Sequence, residues 1–73
     1  MGKVTERRMQ YAKALIEEGI DLSKNYFALT SSEESIVGKY MKLFGYNGRN
    51  YLGRTYRQQF YYSAQAGYAH MDK

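Results

Sequence analysis

The stretch Thr30-Ser31-Ser32-Glu33-Glu34-Ser35-Ile36-Val37-Gly38-Lys39-Tyr40-Met41-Lys42-Leu43-Phe44-Gly45 carries its own start and stop. Thr30 with Glu33 and Ser31 with Glu34 have the spacing of two overlapping capping boxes, in which a hydroxyl and a carboxylate satisfy the first free N–H groups of a helix. The paired acids also sit at the positive end of the helix dipole. Ile36, Val37, Tyr40, Leu43 and Phe44 then recur at helical spacing and form an apolar face. Lys39 and Lys42 lie off that face, near the end where cations are favourable, and Gly45 closes the helix.

Upstream, Thr5 is expected to cap a helix running to about Glu18, with Val4 and Met9 placed as a hydrophobic staple. Met9, Ala12, Leu15 and Ile16 form its apolar stripe. Gly19 stands at the left-handed position after the helix, and Ile20 follows where it can fold back on Leu15. Asp21–Leu29, with Leu22, Tyr26 and Phe27, reads as a short helix or helical turn, an extended segment being the competing reading.

Downstream, Gly45-Tyr46-Asn47-Gly48-Arg49-Asn50 is a turn segment. Its Asn-Gly pair is also a hairpin signal, so a short β-ribbon across residues 46–51 competes with a plain helix–loop–helix connection. The flanks lack β-branched residues, which favours the loop. A last helix is expected from about Asn50 or Tyr51 to Ala66, with Leu52, Tyr56, Phe60 and Ala64 as its buried ridge. Gly53 weakens the first turn by about 1 kcal/mol relative to alanine, which moves the expected start toward Thr55. Gly67–Lys73 is expected to fray. The sum is an all-α chain: residues 1–73 as one small three- or four-helix bundle.

Composition narrows the classes further. A chain of 73 residues buries only about 60% of the surface its unfolded form exposes, so a homodimer or a partner is a natural way to complete the core. The chain has no cysteine, which removes disulfides and thiolate metal sites, and no proline, which suits helices. No apolar run reaches the roughly 18 residues of a membrane span, and Met1–Arg8 leads into no apolar stretch. Neither anchor nor signal peptide is expected, and a cytoplasmic location follows from that reading. His70 stands alone, the acid pairs point to different helix faces, and Ser31, Ser32 and Ser35 are capping residues. No metal, cofactor or enzymatic activity is therefore expected.

The formal charge of +4 is unevenly placed. Residues 1–34 hold five basic and six acidic residues, whereas residues 35–71 hold Lys39, Lys42, Arg49, Arg54 and Arg57 and no acid. Seven of the nine tyrosines lie in that second half. Such asymmetry points to a polyanionic partner. Arg49, Arg54 and Arg57 approach the start of the last helix, where stability alone would call for acid and where a phosphate would select arginine. Gly48-Arg49-Asn50-Tyr51 and Gly53-Arg54-Thr55-Tyr56 repeat a Gly-Arg-polar-Tyr unit in the same place.

A helix, a tight turn and a second helix with Arg54, Arg57, Gln58, Tyr61 and Gln65 on its polar face generically resembles helix-turn-helix architecture. The spacing departs from that motif at Met41, which stands where a small residue is needed, and at Gly48 and Gly53 in the following helix, so the resemblance is one of layout. It implies a small DNA-binding regulator of phage or plasmid type, with Arg49, Arg54 and Arg57 on phosphates or guanines. Gln58, Tyr61 and Gln65 would contact bases, with Lys39 and Lys42 beside them. The alternative is a phage-type interaction module that inhibits or adapts a host protein or nucleoprotein complex through the same Tyr/Arg surface.

Overall fold

The computed structural model describes residues 3–46, 53 and 55–71. It is all-helical: α1 (Lys3–Glu17), a single 3-10 turn (Tyr26–Ala28), α2 (Ser31–Leu43) and α3 (Tyr56–Met71), with no strand among the described residues. The alternative β-ribbon across 46–51 falls almost wholly outside them.

Local chemistry explains the boundaries between α1 and α2 and the end of α2. The Thr30 capping box forms in full: Thr30 Oγ1 accepts from the Glu33 N–H at 3.2 Å, and Glu33 Oε1 accepts from the Thr30 N–H at 2.9 Å. That backbone hydrogen bond holds the Glu33 carboxyl below its ordinary pKa. Both α1 and α2 end in the same way. At Gly19 (φ +85°) the Ile20 N–H donates to Leu15 O and the Gly19 N–H to Ile16 O. At Gly45 (φ +68°) the Tyr46 N–H donates to Met41 O and the Gly45 N–H to Lys42 O. This double bond pattern is the Schellman motif, and glycine supplies its left-handed residue without Cβ strain.

Between α1 and α2 the chain turns on side-chain caps. Asp21 Oδ1 accepts from both the N–H and the hydroxyl of Ser23, which lowers the Asp21 pKa. Asn25 Oδ1 accepts from the Phe27 N–H and starts the 3-10 turn.

The core joins Tyr11, Ala12 and Leu15 of α1, Ile20, Leu22, Tyr26 and Leu29 of the connection, Val37 of α2, and Phe60, Tyr61 and Ala64 of α3. Helices α1 and α3 are the principal packed pair. Gly67 sets how close they come: a Cβ there would lie 2.2 Å from the Arg8 carbonyl oxygen.

Several expectations are corrected. Helix α1 starts at Lys3, so Thr5 is inside it, and Val4 and Ile16 are exposed where a staple and a stripe residue were expected. Leu43 and Phe44 are exposed at the end of α2, and Tyr56 at the start of α3. The buried ridge of α3 is Phe60, Tyr61, Ala64 and Gly67, because its first turn projects beyond the packed pair; Leu52 lies outside the described residues. Gly67 does not begin a frayed end: its missing side chain admits α1, and α3 continues to Met71.

Candidate polyanion-binding groove

The start of α3 is capped without charge. Thr55 Oγ1 accepts from the Gln58 N–H at 3.2 Å, and Gln58 Oε1 accepts from the Thr55 N–H at 2.8 Å. This is the capping box again, with glutamine in place of glutamate. Gln58 is thereby bound to the helix end rather than offered to a partner, and the Thr-x-x-Gln spacing was the available signal.

Tyr61 and Gln65 are likewise placed elsewhere than the helix-turn-helix layout implied. Tyr61 is fully buried, its hydroxyl donating to the Lys24 carbonyl at 2.8 Å and to the Asp21 carbonyl at 3.2 Å. Gln65 Nε2 donates to the Leu22 and Lys24 carbonyls, both at 2.8 Å. Together these two side chains of α3 tie down the α1–α2 connection, whose turning backbone has no helical or sheet partner for those oxygens. Neither is exposed as a base reader.

The structure does bring three of the expected cations together. Lys39 and Lys42, three residues apart on α2, line a groove of about 490 Å³ with Ser35, Gly38, Leu43 and Arg57. Gly38 makes it possible: a Cβ at that position would stand 2.9 Å from Arg57 Nε and 3.0 Å from Nη2, so the guanidinium lies over bare backbone. A lone glycine within a helical pattern was the sequence signal for that approach.

Arg57 also borders a second cleft, shared with Tyr26 and Glu34. There the Tyr26 hydroxyl donates to Glu34 Oε1 at 3.2 Å. Burial raises the Tyr26 pKa, the Glu34 carboxylate adds to the rise, and the Arg57 charge opposes it. The Lys39–Lys42 groove has no acid in its lining. Lys39 Nζ lies 5.6 Å from the centre of the Tyr40 ring, within cation–π range. The one ion pair among the described residues is Lys24–Glu33 at 3.6 Å, away from this groove's lining. None of its three cations is in an ion pair among the described residues, although Arg57 also borders the cleft that holds Glu34, and three cations on one lining suit the holding of phosphates.

Arg49 and Arg54 belong to the segment joining α2 to α3 and lie outside the described residues, as does most of the Gly-Arg-polar-Tyr echo. Among the described residues no group of three or more His, Asp or Glu side chains could hold a metal, and no helix is long and apolar enough to cross a membrane. The fold and groove define a class, a small helical bundle with a basic cleft between its second and third helices. No family model, no curated protein and no solved structure matches this chain.

Proposed function

We propose that this protein is a small non-enzymatic DNA-binding regulator that holds the phosphate backbone in the α2–α3 groove. The observation that carries this reading is the convergence of Lys39, Lys42 and Arg57 on an acid-free groove floored by Gly38. Arg49 and Arg54 add charge in the segment between the same two helices. With Gln58 engaged in the helix cap and Tyr61 and Gln65 bound to the α1–α2 connection, recognition rests on phosphate position and duplex shape more than on base edges.

Titration of mixed-sequence duplex DNA between 50 and 200 mM salt tests this. Three to five phosphate contacts give a slope of log K on log salt of about −2.7 to −4.5. Removing the Lys39, Lys42 and Arg57 charges together should flatten it by about 2.7. Absence of binding at 50 mM salt would overturn the reading.

One observation favours a second reading, a protein-interaction module: Leu43, which lines the groove, is 68% exposed. An apolar side chain among cations suits an acidic protein surface with an apolar anchor. Under that reading a stoichiometric partner survives nuclease treatment, and Leu43→Ser releases it.

A further inference from the structure

A second groove, of about 560 Å³, lies where α1 meets the end of α2 and the turn after it. Its size falls within the roughly 300–1,000 Å³ of ordinary small-molecule sites. Arg7, Arg8, Gln10 and Tyr11 line it from α1, Phe44 and Tyr46 from the turn. Leu43 lines the first groove and Phe44 the second, so the two are distinct surfaces on either side of one residue boundary.

The chemistry of this second lining is specific. Tyr11 is the buried centre of an aromatic cluster, with the Phe44 ring at 5.0 Å and the Tyr46 ring at 6.0 Å, both edge-on to it. Phe60 closes the cluster from below at 4.6 Å from Tyr11 and 5.5 Å from Tyr46. The rings of Phe44 and Tyr46 are thus fixed from behind while part of each stays open to solvent. A rigid, partly exposed ring is a platform on which a planar group can stack at little entropic cost.

Beside the platform stand two exposed arginines with no acid in the lining. Arg7 lies close enough to the Tyr11 hydroxyl for its charge to oppose the rise in pKa that burial imposes there. Gln10 adds an amide able to donate to and accept from the edge of a base. A planar heterocycle carrying a phosphate matches platform, cations and amide together, whereas inorganic phosphate uses only the cations.

We propose that this groove is a nucleoside-phosphate site, the base stacking on Phe44 and Tyr46 and the phosphate paired with Arg7 and Arg8. It takes one nucleotide, either free or as a unit of a single strand. The site is independent of duplex binding in the α2–α3 groove and stands or falls separately from it.

The test is an NMR titration with thymidine 5′-monophosphate, thymidine, inorganic phosphate and a thymidine octanucleotide. The monophosphate should shift the signals of Arg7, Tyr11, Phe44 and Tyr46 saturably. Thymidine and phosphate should each bind about tenfold or more weakly, since each lacks half of the contacts. The octanucleotide shifting the same residues at lower concentration identifies a single strand as the source; equal or weaker binding identifies the free nucleotide. Replacing both arginines (Arg7→Ala with Arg8→Ala) should raise the Kd about tenfold or more, while helicity persists because alanine favours the helix. Tyr46→Leu keeps an apolar group on the core but removes a stacking face, and should weaken the monophosphate more than phosphate. Four results overturn the assignment: equal binding of phosphate alone, shifts confined to Lys39, Lys42 and Arg57, an unchanged Kd in the double variant, or tighter binding of an acidic aromatic tripeptide at the same residues.

Discussion

The Tyr61 hydroxyl shows how much one side chain decides at this size. Burial, with Asp21 and Glu33 adding to it, pushes its pKa from the ordinary 10 up to about 12. The folded state therefore keeps a proton that the unfolded chain gives up near pH 10. The associated stability is fully present below that pH and is lost as pH rises toward 12, on the order of 2 kcal/mol in all. Tyr11, Tyr26 and Tyr40 are shifted in the same direction and steepen the loss. Urea unfolding at pH 8, 10 and 11 should show the midpoint falling across that range. Tyr61→Phe should cost about 1–2 kcal/mol at pH 8, from the hydrogen bonds to Asp21 and Lys24, and should fall less steeply above pH 10. An alkaline slope unchanged by the substitution would place the titration elsewhere. Sequence placed Tyr61 on a polar face because Arg57, Gln58 and Gln65 surround it in helical projection. It could not show that the Leu22 and Lys24 carbonyls of a distant turn would take their donors from α3, which decides where Tyr61 and Gln65 point.

At the scale of elements, the helix ends were the legible part and the helix faces were not. Caps and Schellman turns depend on residues within about six positions of one another, so Thr30, Glu33, Gly19 and Gly45 announce themselves. Which face is buried depends on the partner helix, and the glycines show the difficulty most clearly. Gly19 and Gly45 end helices with positive φ, whereas Gly38 and Gly67 sit inside helices where another group comes close. These last two should respond very differently to the same substitution. At Gly67 the obstacle is the Arg8 carbonyl and the Met9 nitrogen, which are rigid backbone of α1. Gly67→Ala must push α1 and α3 apart and should cost about 3 kcal/mol, read from chemical denaturation. At Gly38 the obstacle is the end of the flexible Arg57 side chain, which can swing away. Gly38→Ala gains about 1 kcal/mol of helix propensity against the loss of that packing, so stability should change by less than about 1 kcal/mol. DNA affinity should nevertheless fall, because the guanidinium leaves the groove. A Gly38→Ala variant that binds DNA as before would remove Arg57 from the site.

For the molecule as a whole, charge placement yields an expectation that packing does not. The cations of the α2–α3 groove repel one another, and Lys24–Glu33 is the one ion pair among the described residues to set against them. Added salt screens that repulsion, so the Tm of the free protein should rise between 0.05 and 0.5 M salt. Duplex DNA also stabilises, but with the opposite dependence on salt. At 100 times its Kd it stabilises the folded chain by about 2.7 kcal/mol, which for a domain of this size is roughly 10–20 °C in Tm. The same salt that stabilises the free protein weakens that binding, so the Tm of the complex should fall as salt rises until the two curves meet. Calorimetry of both samples across the salt range measures the two slopes directly. Opposite signs are what a surface built for an absent polyanion produces. If the Tm of the free protein falls with salt, its charges are already arranged for its own stability, and the groove cations lose their claim to a partner.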